Sequence, residues 1–208
     1  MQVVLWILFI IAFGWFLSIG ISALIGVSRL ALEPKTHEYY KNMIKRNCFK
    51  LDKIPNKFKT KELCLIAVQQ TGIMLHAVPD ELKTEELCLI AVKNGGSLIN
   101  VPDKLKTKEI CLEAIKRSSL EVEHIPDKFK TEEIYLEMLK YHSGALQNIP
   151  DELKTEKICL KAVKGYGAAL KYVPDNLKTE EICLIAVKKD KSAMTYIPDR
   201  LKDSIKLA

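Results

Sequence analysis

From residue 54 onward the same order of apolar and polar positions returns at a fixed interval. Its markers are Ile54-Pro55-Asn56, Val78-Pro79-Asp80, Val101-Pro102-Asp103, Ile125-Pro126-Asp127, Ile149-Pro150-Asp151, Val173-Pro174-Asp175 and Ile197-Pro198-Asp199, with prolines 24, 23, 24, 24, 24 and 24 residues apart. A short fixed period signals a repeat architecture, so the chain is best read one unit at a time. A second element starts at Thr60, Thr84, Thr107, Thr131, Thr155 and Thr179. Threonine accepts a hydrogen bond from an orphan amide at a helix N-terminus. An acid follows at Glu62, Glu86, Glu109, Glu133, Glu156 and Glu181, in the first turn, where the helix dipole favours negative charge. The run behind it, such as Ile182, Cys183, Leu184, Ala186 and Val187, has the spacing of a helix with a wide apolar face that must be buried.

Lys93, Lys116, Lys140, Lys164 and Lys188 fall near the helix end, where a cation suits the dipole, and Gly72, Gly95, Gly96, Gly144 and Gly167 read as the break. A shorter apolar pair follows at i, i+3, such as Leu75 with Val78 and Leu170 with Val173, which suits one turn of α or 3₁₀ helix. Pro-Asp-x-Leu/Phe-Lys then turns the chain into the next threonine. Each unit is thus a helix of about three turns plus a short helical turn, and it can bury its single apolar face only against its neighbours. The expected fold is all-α, an α-solenoid of 23–24-residue repeats over residues 54–208. Thr36 stands 24 residues before Thr60, with Tyr39, Met43, Ile44 and Leu51 in register, so residues 29–53 read as a juxtamembrane segment and a degenerate capping repeat. Residues 203–208 read as a truncated last helix with Asp203 in the cap role.

Residues 1–28 break the pattern. Val3 to Val27 is a 25-residue stretch without a charged side chain, and about 20 residues span a bilayer core as a helix. A cleavable signal peptide would carry a basic start and a shorter apolar run, although Ser22-Ala23 or Gly26 resembles a cleavage site. The expectation is an N-terminal transmembrane helix at 1–28, retained as a single-pass anchor. Arg29, Lys35, Lys41, Lys45 and Arg46 follow the span and no basic side chain precedes it, which places the body on the cytoplasmic side. Gly14, Ser18, Ser22 and Gly26 recur every fourth residue. They are either a seam for a homodimer of anchors or the ordinary glycine and serine content of membrane helices.

The unit, written LKTEEICLIAVKxxxxALxYVPD, resembles the tandem repeat known as domain of unknown function 4116, from about Thr36 to Lys202. The resemblance implies a helical repeat but no activity and no catalytic residues. Tyr135 and Met138 depart from the pattern where other units have cysteine and alanine.

Composition changes this picture little. The chain has 208 residues, 48% hydrophobic, and 32 basic against 26 acidic side chains give +6, which does not demand a nucleic-acid partner. Cys64, Cys88, Cys111, Cys159 and Cys183 share one repeat position. Neighbouring helices lie about 8–10 Å apart, too far for a disulfide or a shared metal, so they read as small buried hydrophobes. Their free thiols fit a reducing compartment. His37, His76, His124 and His142 have no metal spacing, and no phosphate-loop or nucleophile motif occurs. Neither an enzyme nor a cofactor is expected.

Two further ladders remain. Lys59, Lys83, Lys106, Lys130, Lys154, Lys178 and Lys202 precede each cap. They read either as a cationic ridge for nucleic acid or anionic lipid or as a solvated row compensated by the nearby Asp and Glu. The other lies two residues before each proline, at Ala77, Asn100, His124, Asn148, Tyr172 and Tyr196, and varies while its surroundings repeat. Asn100, His124, Asn148, Tyr172 and Tyr196 are the candidate partner-binding residues of an interaction scaffold, and neutral surface variation is the plainer alternative.

Overall fold

The computed structural model describes residues 36–206. The chain divides into two compact units, Met1–Asn42 and Met43–Ala208. The expected membrane span at 3–27, with Gly14, Ser18, Ser22 and Gly26, lies outside the described residues. Among those described, no helix is long and apolar enough to cross a membrane.

The α-helices are α1 (His37–Arg46), α2 (Lys61–Gln70), α3 (Glu85–Lys93), α4 (Lys108–Arg117), α5 (Glu132–Tyr141), α6 (Glu156–Gly165), α7 (Glu180–Lys189) and α8 (Asp199–Lys206). Between them stand 3₁₀ segments, and no strand occurs among the described residues. The chain is therefore all-helical and built of tandem repeats. In the first unit, Thr36 Oγ1 accepts the Tyr39 amide at 3.2 Å, the hydrogen bond expected of an N-cap threonine.

In the second unit each repeat is an α-helix of nine or ten residues, a 3₁₀ segment such as Gly72–Ala77 or Gly167–Tyr172, and a second 3₁₀ turn such as Asp80–Leu82, except that the last repeat runs from Lys191–Tyr196 straight into α8. The sequence pattern predicts only a turn at this last place. Proline fixes φ near −58° at Pro79, and the Leu82 amide donates back to the Pro79 carbonyl at 2.9 Å, which winds the three residues into 3₁₀ form. The threonines cap as expected. Thr60, Thr84, Thr107, Thr155 and Thr179 accept the amide three residues on at 3.2–3.4 Å, whereas Thr131 makes no such side-chain bond. Asp203 departs from its expected cap role: it lies inside α8, which starts at Asp199, where the acid sits in the first turn and pairs with Lys202.

Neighbouring repeats pack α-helix on α-helix and 3₁₀ segment on 3₁₀ segment. In α2, Leu63, Cys64, Ala67 and Val68 are fully buried, and the equivalent positions are buried in α3, α4, α5 and α6. The third residue of the apolar run does not share that burial. Leu65, Leu89, Leu112, Leu136, Leu160 and Leu184 are half-exposed, because at 3.6 residues per turn this position falls on the flank of the buried arc. Tyr135 and Met138 take the places of cysteine and alanine and are buried all the same.

The repeats are also joined by polar bonds. The last carbonyls of a helix lack intrahelical donors, and a side chain from the next repeat supplies one. Gln70 donates to the Ile44 carbonyl (3.1 Å), Asn94 to Val68 (3.2 Å) and Arg117 to Lys93 (3.3 Å), while His142 Nε2 lies 3.2 Å from the Lys116 carbonyl. Of the glycines read as helix breaks, Gly95 alone has positive φ, 96°. Gly72 and Gly96 serve a different purpose: a Cβ on Gly72 would collide with the Ala91 carbonyl, and one on Gly96 would come within 2.7 Å of the Gly72 carbonyl. The missing side chains let the Gly72 amide donate to the Asn94 carbonyl at 2.9 Å.

Adjacent residues separate core from surface. Leu98 is fully buried and Ile99 is 66% exposed. Leu98→Ala is expected to lower stability by about 2–5 kcal/mol and Ile99→Ala by no more than about 0.5 kcal/mol, as read by urea unfolding of the full chain.

Candidate interaction surface

The cysteine row lies inside. Cys64, Cys88, Cys111, Cys159 and Cys183 are buried and unpaired. Burial pushes the thiols of Cys64, Cys88, Cys111 and Cys159 up to about 11 against a smaller opposing effect of the nearest lysine. Cys183 is raised for the same reason. A thiol held protonated is a poor nucleophile and metal ligand. No group of three or more potential metal-binding side chains occurs among the described residues.

The lysine ladder is compensated by nearby aspartates, as the second reading has it, but most of its ammonium groups are buried rather than solvated. Lys59, Lys83, Lys106 and Lys154 donate to the carbonyls of Ala77, Asn100, His124 and Tyr172 at 2.7–2.9 Å. These carbonyls lie at the ends of 3₁₀ segments, where backbone acceptors are left over and a cation is favoured. Side-chain exposure is 8% at Lys83, 9% at Lys106, 6% at Lys154 and 11% at Lys178. An aspartate three residues earlier neutralises each of these, at 2.6–2.9 Å. Backbone geometry decides which lysines reach the carbonyl. Where ψ is between 103° and 119° they do; at Lys130 and Lys178, with ψ of 70° and 81°, the ammonium keeps its aspartate. Four methylenes bury easily if the head is satisfied, so Lys59, Lys83, Lys106 and Lys154 brace their repeats from inside.

The variable row takes part in the same bracing. Asn100, His124 and Tyr172 supply the carbonyls just named, and the side chains of Asn100, His124, Asn148, Tyr172 and Tyr196 are half-exposed. Asn148 Nδ2 donates to Ser119 Oγ at 3.2 Å, and the Lys171 ammonium stands 5.5 Å from the Tyr172 ring centroid. Ala77, the smallest member, is buried. The register therefore sets the five candidates at equivalent positions with their side chains partly open, and a ladder lysine holds the carbonyl of three of them, Asn100, His124 and Tyr172.

On the α-helical side, Leu136 and Leu160 line an open recess of about 560 Å³ between α5 and α6. Its walls are Glu132, Glu133, Glu137 and Lys140 on α5 and Lys157, Lys161 and Lys164 on α6. Thr155 and Lys157 both bond Glu132, at 2.7 and 3.4 Å. Sequence reasoning missed this half-open leucine row because leucine at helical spacing reads as core. It also passed over Phe49, Ile73, Ile99 and Leu120, all exposed. The signal there was a large apolar residue six positions before Pro55, Pro79 and Pro126, where other repeats carry glycine, alanine or serine.

The model of the family described as domain of unknown function (DUF4116) matches residues 37–83, 84–130, 131–178 and 155–202. The chain belongs to this family. Each match spans two of the repeats described above, and the last two begin 24 residues apart (155 − 131), so the match can slide by one repeat. No curated protein and no solved structure matches the chain.

Hydrogen bonds from the ladder lysines hold the carboxyls of Asp80, Asp103, Asp175 and Asp199 below the usual carboxylate range. A lowered folded-state pKa means that the unfolded chain binds more protons in that window. The stabilisation is therefore present above about pH 4 and is lost as pH falls through the folded value. Urea midpoints should fall below about pH 4, and Asp→Asn changes at these positions should flatten the slope. Lys106→Ala is expected to lower stability by about 1.5–3 kcal/mol, an effect that a free cationic ridge would not show.

Proposed function

We propose that the chain is a membrane-anchored helical-repeat scaffold for protein–protein interaction, held by residues 3–27 with its body on the cytoplasmic side. One observation carries the binding part of this reading. Apart from the half-exposed helix leucines and the surface aspartates, the residues that repeat serve inside the stack as caps, braces and core, whereas those that vary along one line, Asn100, His124, Asn148, Tyr172 and Tyr196, keep half-open side chains. A line of differing polar and aromatic groups on a regular frame is how repeat proteins recognise extended partners, and tyrosine is over-represented at interface hot spots. The job is binding rather than catalysis, with no cofactor. The anchor draws its support from the 25-residue uncharged stretch and the basic residues behind it. Pairing of anchors through Gly14, Ser18, Ser22 and Gly26 belongs to the same reading.

The lysine ladder as a nucleic-acid or anionic-lipid site loses support from the burial of its ammonium groups. Proximity labelling in cells with the full chain tests the scaffold. Proteins labelled by the parent chain should be recovered about tenfold less with Tyr172→Ser/Tyr196→Ser, a hot-spot-sized loss. Equal recovery from a variant of unchanged circular dichroism would remove this surface.

A further inference from the structure

Side chains three apart eclipse in a 3₁₀ helix, so the second and fifth residues of each six-residue 3₁₀ segment point the same way. In Cys48–Lys53, Gly72–Ala77 and Ser119–His124 the second residue is Phe49, Ile73 and Leu120, at 57%, 53% and 63% exposure. The shortened repeat between them, with its 3₁₀ segment Leu98–Asn100, contributes Ile99 at the fifth position, 66% exposed. In Ser143–Asn148, Gly167–Tyr172 and Lys191–Tyr196 the second residue is Gly144, Ala168 and Ser192, and the fifth is Gln147, Lys171 and Thr195. The fifth residues of the earlier segments are Asp52, His76 and Glu123, and Gly96 stands at the second position of the shortened repeat, so each earlier repeat presents one large exposed apolar side chain beside a polar or small one, whereas the later repeats present none. Large exposed apolar side chains gathered on consecutive repeats point to a contact surface.

Charge and chain length indicate what it contacts. Lys45, Arg46, Lys50 and Lys53 are exposed in the segment around Phe49, and Arg117 is exposed three residues before Leu120. The acids here are partly engaged: Asp52 pairs with His76 at 3.2 Å, and Glu121 accepts from Ser97 Oγ and the Leu98 amide at 3.2 and 2.8 Å, while Glu123 stays exposed. The cations beside Phe49 and before Leu120, at the end of the row nearest residues 3–27 and at its far end, suit an anionic membrane surface. Between Val27 and Phe49 lie 22 steps of chain, ten of them in α1. Even fully extended outside that helix they span no more than about 60 Å. A bilayer holding residues 3–27 is thus present at high effective concentration for the repeats nearest the tether, and these are the repeats with the apolar row.

We propose that Phe49, Ile73, Ile99 and Leu120 dock into the interfacial layer of an anionic bilayer, laying the earlier repeats against the membrane and leaving the later ones, with Tyr172 and Tyr196, free for a partner. The inference rests on the anchoring reading above. The test uses the full chain with Trp6→Phe and Trp15→Phe, reconstituted in phosphatidylcholine/phosphatidylserine vesicles. One reporter is Leu120→Trp; the control is Ser192→Trp, at the equivalent position of a later repeat. A docked side chain sits roughly 5–10 Å into the headgroup–acyl boundary. Lipids brominated on the upper acyl chain should therefore quench Leu120→Trp about two-fold and leave Ser192→Trp unchanged. Phe49→Ser/Ile73→Ser/Ile99→Ser, on the exposed face, should abolish the quenching without preventing flotation. A chain that floats with the vesicles but shows equal emission from both reporters overturns the docking and leaves the anchor standing. Blue-shifted but unquenched emission also overturns it, assigning the row to a second copy. A chain that does not float removes the anchor, and the docking with it.

Discussion

A repeat of about two dozen residues with one apolar arc has no interior of its own. Everything else in the structure answers to that constraint. Leu63, Cys64, Ala67 and Val68 are fully buried in a helix of ten residues, as are Ile158, Cys159, Ala162 and Val163 in another. A helix this short is marginal alone in water, so its burial has to come from the copies on either side. The same demand explains the size of the buried residues. Cysteine and alanine keep neighbouring helices close, and where Tyr135 and Met138 replace them the larger side chains remain inside.

Close approach exposes a second difficulty, which is polar. Short helices multiply helix ends, and each end leaves carbonyls without donors. Three devices meet it. Gln70, Asn94 and Arg117 reach back to carbonyls of the preceding helix. Lys59, Lys83, Lys106 and Lys154 reach forward to the end of a 3₁₀ segment. Gly72 gives up its side chain so that its amide meets the Asn94 carbonyl. No buried side-chain nitrogen or oxygen among the described residues is left without a partner. The first device tolerates variation, since Gln70, Asn94 and Arg117 fill one repeat position with three different donors, whereas the lysine recurs in every repeat.

The repeat itself was legible in the sequence because its signals are local. A threonine cap, an acid in the first turn and a proline after the short helical turn each act within a few residues, and the helices start where Thr60, Thr84 and Thr107 place them. What escaped the pattern depends on residues near in space but distant in the chain. Gly72 looks like a helix breaker until the Ala91 carbonyl is placed beside it, and Lys106 looks like a surface cation until the His124 carbonyl accepts from it. Leu136 looks like core until the helix is turned to show it on the flank, at the mouth of a recess. The candidate row was found by its variability, but its half-burial follows from the register of the 3₁₀ segments, which composition does not reveal.

The central claim is mutual shelter between consecutive repeats, and removing one whole repeat tests it most directly. A chain lacking residues 155–178, a full period between two equivalent threonines, keeps every remaining junction in register. Urea unfolding of this chain beside the parent should show one cooperative transition with a lower midpoint and a smaller m-value, because stability in a stack grows with the number of interfaces. An unchanged midpoint, or separate transitions for the remaining segments, would mean that the repeats fold as independent bodies and would contradict the account.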